Sequence, residues 1–273
     1  MKKFIFLFFA LLISGFCISE AAVQYTEAQI TAIGQRILAE NKLPKEVKFN
    51  VVQSNTVNAY ADSNNNIVIY TGLLNLVEKD EELAGIMSHE IGHIMKSHCY
   101  KQSFLNMVLG YITSKTTGQY TKKGVELASS LASTKVSREQ EYDADYTSAD
   151  LLYKAGYNPL GLISALNKIS SNYIDILVDH PSGDKRLMAL FDYINYNYPN
   201  EVKKGYNTSS YNSFLAYAKP TLDERANNSK LNEKYINTQK KLKLKRDKAA
   251  KRMMRTNDPW AAGYSTLMLM VGN

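Results

Sequence analysis

The segment Asp80–His98, "DEELAGIMSHEIGHIMKSH", constrains the chain more than any other. Leu83, Ile86, Met87, Ile91 and Ile94 recur at helical spacing, which predicts a helix with an apolar face. Asp80, Glu81 and Glu82 crowd its first turn, where the helix dipole favours negative charge. The same segment carries His89, Glu90 and His93. Imidazoles four residues apart lie one turn apart on one helix face, so both can reach one metal ion. Glu90 lies about 100° round the helix from His89, poorly placed to ligate that ion but able to reach a water on it. Gly92 costs a helix interior about 1 kcal/mol relative to alanine, and close approach by another element is one reason to keep it.

A catalytic zinc takes three protein ligands and leaves one position open. His98 is nearest in sequence, but it lies about 140° round the helix from His93 and reads as a structural histidine. Glu141, in "SREQEYDAD", is the better third ligand. It shares a predicted helix face with Asp145, one turn on. The first carboxylate can bind the metal, and the second can accept the outer N–H of a ligand histidine. Glu139 competes for the role from another side of that helix, and a solvated acidic face is the plain alternative for the whole segment. His180, in "DHPSGDKR", is either structural or close enough to the metal to stabilise an oxyanion or cap the ion at rest.

Around these segments the chain reads as mostly helical, with a short run of strands. Ile30, Ile33, Ile37 and Leu38 mark a helix over 26–41. Val47–Val52, Val57–Ala61 and Asn66–Tyr70 read as strands, the last two joined as a hairpin by the turn cluster "DSNNN". Helices are expected within 101–135, over the Glu141 segment up to Gly156 and Pro159, over "PLGLISALNKISS", and after Pro181. Beyond about residue 200 the pattern loosens into Tyr, Asn, Ser and Lys, with a Lys-rich amphipathic stretch over 230–255.

The N-terminus looks like a secretory signal over 1–21. Lys2 and Lys3 precede the apolar run Phe4 to Ile18, which is short for a membrane span, and small residues follow at Ser19–Ala21. Retention as an anchor is the alternative. Loss of the signal leaves Cys99 alone, so no internal disulfide is expected. The net charge of +7 is uneven: Lys230 to Arg255 hold eleven Lys/Arg against two Asp/Glu. The basic character belongs to an extension, taken as 199–273, and not to the body over 22–198.

"HEIGH", then "SREQEYDAD", "AGYNP" and "HPSGDKR", together with "VNAYADSNNNIVIYTGLL", resemble the M48 peptidases, zinc metalloproteases of the gluzincin type. The resemblance spans roughly residues 25–195 and favours the soluble, secreted bacterial branch. It implies an α+β fold, mostly helical, with a small antiparallel sheet whose edge strand lines the cleft. It implies one zinc per chain on His89, His93 and Glu141, with Glu90 as catalytic base. Asp145 and Arg186 would support the ligands, His180 would lie near the site, and Asn58, Ala59 and Tyr60 would bind substrate. Tyr60 stands where phenylalanine is more usual in the family.

The expected function is a zinc endopeptidase of the periplasm or cell envelope, acting on extended or misfolded proteins. A zinc-stabilised, chaperone-like binding module is the alternative. The basic extension reads first as a solvated helical segment, then as a contact with a membrane surface. Nucleic acid ranks last among the partners.

Overall fold

The computed structural model describes residues 25–62, 64–97, 138–172 and 183–271. The expected signal segment, the expected helices within 101–135, His98, Cys99 and His180 lie outside the described residues.

The chain opens with α1 (Glu27–Glu40), capped by Thr26, whose hydroxyl accepts from the Gln29 amide while Gln29 returns the bond to the Thr26 amide. Its stripe of Ile30, Ile33, Ile37 and Leu38 is buried. Three strands follow: β1 (Phe49–Val52), β2 (Ala59–Ala61) and β3 (Ile67–Tyr70). β2 and β3 form the expected antiparallel hairpin, with Tyr60 opposite Val68. β1 joins in parallel on the far side of β3, giving the order β1-β3-β2. The sheet is therefore mixed, not purely antiparallel. β2 takes one edge of β3, so β1 can pair only with the other, and the chain crosses over through 53–58.

Asp62 closes the hairpin. Its carboxylate accepts the amides of Asn64 and Asn66 and the Asn66 side chain, at 2.8, 2.9 and 3.0 Å. Asn65 takes the left-handed conformation, φ 63°, which asparagine tolerates better than most residues.

The single turn α2 (Thr71–Leu74) leads to α3 (Asp80–Met95), buried on nearly all sides. Packed against α3 are α4, helical over 138–154, and α5 (Leu160–Asn172). Gly92 meets α4: a Cβ there would sit 3.1 Å from the Ala144 carbonyl oxygen and 3.2 Å from its Cα. This is the close approach that the glycine suggested. Glu82, fully buried, ties α3 to α5 by accepting from Ser164 at 2.6 Å and Lys168 at 2.9 Å.

Helices α6 (Asp184–Asn197) and α7 (Pro199–Lys204) complete the body. The region beyond residue 200 is more ordered than its sequence pattern suggests. It forms α8 (Ser209–Asn227), α9 (Ser229–Met253) and α10 (Pro259–Met270). α8 buries Tyr211, Phe214 and Ala218, a helical stripe hidden among polar residues. α10 begins at Asp258-Pro259, a capping signal, and buries Trp260, Tyr264 and Leu267. These helices pack back onto the body.

Candidate metal centre

α3 and α4 cross at Gly92, and the crossing brings their polar residues together. His89 and His93 present their Nε2 atoms 3.0 Å apart. Glu141 on α4 reaches both: Oε2 lies 3.4 Å from His89 Nε2, and Oε1 lies 3.2 Å from His93 Nε2. All three residues are buried and offer donor atoms within 4.8 Å of one another. Donors about 2.0–2.1 Å from one tetrahedral zinc stand roughly 3.3–3.4 Å apart, so the cluster has the span of three zinc ligands. The charge also fits. The carboxylates of Glu90, Glu141 and Asp145 are buried with one guanidinium, Arg186, leaving the deficit that a dication balances.

The supporting residues hold the donors by their outer sides. Asp145 Oδ1 lies 2.9 Å from His89 Nδ1, which leaves Nε2 to face the cluster. Arg186, from α6, donates to Asp145 through Nε and, at 2.7 Å, through Nη2, and reaches Glu141 Oε2 through Nη1 at 2.9 Å. Burial opposes protonation of His89, but the hydrogen bonds and charges of Asp145 and Glu141 outweigh it and push its pKa up to about 9. At His93 burial wins, and the pKa falls. Burial would raise Asp145, but Arg186 holds it below the usual carboxylate range.

Glu90 faces the sheet. Its Oε2 accepts the Ala61 amide at 3.0 Å. In β2 the even residues pair with β3, as the bonds Tyr70 N–H to Asn58 O and Asp62 N–H to Asn66 O show. Ala59 and Ala61 therefore turn their backbone groups toward the outer edge, where Glu90 sits. Beside Glu90 lies a narrow apolar pocket lined by Ile86, Leu73, Leu162, Leu166 and Ile169 and bordered by Asn58, Ala59, His89 and Arg186.

The structure thus gathers His89, Glu90, His93, Glu141, Asp145, Arg186, Asn58 and Ala59. Tyr60 stands apart: it is 38% exposed, packs edge-on to Tyr70 and does not border the pocket. Glu139 is exposed, two residues from the buried Glu141. The Ala61 amide and the pocket residues on α5 escaped the sequence reading. A backbone donor has no residue signature, and Leu162, Leu166 and Ile169 read as ordinary core.

Fold and site together form a candidate metal centre of the HExxH type, in which His89 and His93 on α3 and Glu141 on α4 could hold one ion. The chain belongs to Peptidase family M48, whose family model matches residues 24–194. It is 28% identical over 170 residues to the metalloprotease YcaL of Escherichia coli, covering 58% of this chain and 66% of that one. It is 24% identical over 178 residues to the β-barrel assembly-enhancing protease of Yersinia pestis, covering 37% of that protein. The mitochondrial metalloendopeptidase OMA1 of Arabidopsis thaliana is 32% identical over 146 residues, 30% of its length. The alignments span about two thirds of the first relative and about a third of the other two.

Proposed function

We propose that the chain is a zinc-dependent endopeptidase that cleaves extended or misfolded proteins of the cell envelope. His89, His93 and Glu141 hold the zinc. A zinc ion held there acidifies water and polarises a carbonyl. Glu90 takes the proton from the attacking water and passes it to the leaving amine. Asp145 and Arg186 fix the donors in place.

The observation that carries this reading is the Ala61–Glu90 hydrogen bond. It sets the base at the edge of β2 that pairs with no other strand among the described residues, where an extended peptide can add as a further strand beside Ala59. Such main-chain binding tolerates many sequences, and the adjoining apolar pocket accepts one apolar side chain. A relative named for β-barrel assembly supports an envelope substrate. Among the described residues no helix is long and apolar enough to cross a membrane.

The test is Glu90→Gln with unfolded casein as substrate. Cleavage should fall by at least about two orders of magnitude, the scale of acid–base catalysis, while zinc content stays at that of the unaltered protein. Undiminished cleavage by the zinc-loaded variant overturns the mechanism. Binding of casein without cleavage by the unaltered, zinc-loaded protein favours the chaperone-like alternative.

The outward face of α9 supports contact with an anionic membrane surface. Lys241, Lys248 and Lys251 are exposed there beside Leu244, which is 59% exposed. Cosedimentation with phosphatidylglycerol vesicles should fall in the triple variant Lys241→Glu, Lys248→Glu, Lys251→Glu. Equal binding by both proteins removes this reading.

A further inference from the structure

We propose that Arg246, on α9, is a positioning residue for the metal centre: it seats the helix that carries Glu141 and Asp145. The inference rests on the zinc peptidase reading above, and concerns a part of the chain that the family match, ending at residue 194, does not include.

α4 is loaded with carboxylates on two sides. Glu141 and Asp145 turn toward the metal cluster, as described. Asp143 and Asp150 lie roughly 140–180° round the helix from that pair, facing the C-terminal helices. Arg246 spans them. Its Nη2 donates to Asp150 Oδ2 at 2.7 Å, and its Nη1 lies 3.2 Å from Asp143 Oδ1. The guanidinium is 4% exposed and sits against the rings of Tyr193 and Tyr264. Lys96, at the C-cap of α3, takes the other Asp143 oxygen at 3.0 Å and lies 3.4 Å over the Tyr264 ring. Arg246 therefore joins α9 to the ligand helix, while Lys96 and Tyr264 join the same junction to the end of the histidine helix. A planar fork at two carboxylates fixes both position and rotation of α4, which a single ammonium cannot do.

Rotation matters because the two donor helices share one ion. Glu141 sits two residues from Asp143, so turning α4 about its axis withdraws its oxygens from His89 and His93. It withdraws Asp145 from His89 Nδ1 at the same time. The two faces of α4 are thus mechanically one device, clamped outside by Arg246 and read inside as donor geometry.

Cutting the clamp removes the cation beside the buried Asp150 carboxylate but leaves both carboxylates with hydrogen-bond donors. Asp150 also accepts from Tyr198 at 2.6 Å and from Tyr193 at 2.8 Å, and Asp143 keeps Lys96. Arg246→Met preserves the apolar stem and removes only the fork. A control exists on α8: Arg225 forks onto the single carboxylate of Asp192 on α6, at 2.6 and 3.0 Å, and hydrogen-bonds no α4 side chain among the described residues.

The experiment measures zinc affinity by chelator competition, the visible spectrum of the cobalt-loaded protein, and kcat and KM on casein. It compares the full chain with Arg246→Met, Arg246→Lys and Arg225→Met. Arg246→Met should bind zinc roughly ten-fold more weakly, as outer support of a ligand set does, with an altered cobalt spectrum and a loss in kcat larger than any change in KM. Arg246→Lys should fall between, and Arg225→Met should match the unaltered protein. Zinc affinity of Arg246→Met within two-fold of the unaltered protein overturns the proposal, as does an equal loss in Arg225→Met. Should circular dichroism show Arg246→Met unfolded, Arg246→Lys decides: parity with the unaltered protein then overturns it. Failure of the unaltered protein to bind zinc or cleave casein instead refutes the peptidase reading.

Discussion

His89 gives its Nδ1 to Asp145, 2.9 Å away, and its Nε2 to the cluster shared with His93 and Glu141. One contact therefore decides which nitrogen faces the metal. Asp145→Asn keeps the shape but lets the amide present N–H in place of oxygen, which no longer selects that tautomer. It also weakens the grip of Arg186, whose Nε and Nη2 both end on this carboxylate. Zinc affinity should fall by roughly ten- to a hundred-fold, with cleavage falling in parallel at limiting zinc. Chelator competition measures it. Affinity equal to the unaltered protein would show that His89 is oriented by something else.

Gly92 sets the distance between the two donor helices. Alanine at this position is a better helix former by about 1 kcal/mol, yet its Cβ would press on Ala144 at 3.1–3.2 Å. Valine adds two methyl groups where the gap holds none. Gly92→Val should cost about 1–3 kcal/mol in urea denaturation through overpacking, and should also weaken zinc binding because α4 must move away with Glu141. Unchanged stability and unchanged zinc affinity together would show that the helices have slack here.

The local half of this site was legible in the sequence, and the closing half was not. His89, Glu90 and His93 share one helix, so a period of 3.6 residues places them without knowledge of the fold. Glu141 and Asp145 were legible as a pair for the same reason. Glu141 stood ahead of Glu139 because Asp145 lies one turn on from it, and packing then buries Glu141 while leaving Glu139 exposed two residues away. β1 was recognisable as a strand, but its parallel pairing depends on which edge of β3 the hairpin leaves open. Arg246 was counted as one more cation of a basic stretch. It bonds Asp150 across 96 positions of sequence, and nothing local marks it except that it is an arginine among lysines.

Lys168 is the partner of a carboxylate that has no access to water. Its Nζ lies 2.9 Å from Glu82, which is fully buried, and 3.0 Å from the more exposed Glu78. Lys168→Met removes the charge while filling the space, and leaves Glu82 with the Ser164 hydroxyl and the Glu78 amide. Breaking one side of a buried pair costs about 3–5 kcal/mol, so thermal stability should drop sharply. The double variant Lys168→Met, Glu82→Gln should recover part of it, since no buried charge then remains unpaired. A single variant as stable as the unaltered protein would mean that the Ser164 hydroxyl and the Glu78 amide suffice to hold Glu82.

Asp62 links the hairpin turn to catalysis. Partial burial would raise its carboxyl, but the Asn66 side chain and the amides of Asn66 and Asn64 outweigh burial and hold it below the usual range. A carboxylate with a depressed folded pKa contributes stability above its unfolded pKa, about 3.9, and loses that contribution as pH falls through the folded value. Asp62→Ala should therefore lower stability at neutral pH, and the difference from the unaltered protein should shrink in strong acid. The adjoining residue is Ala61, whose amide holds Glu90. A loosened turn lets that amide wander, so kcat should fall several-fold while zinc content is unchanged, because no donor to the metal lies in the hairpin. Urea denaturation across acid pH gives the first result, and casein cleavage beside metal analysis gives the second. A fall in zinc content would show that the hairpin supports the donors as well as the base.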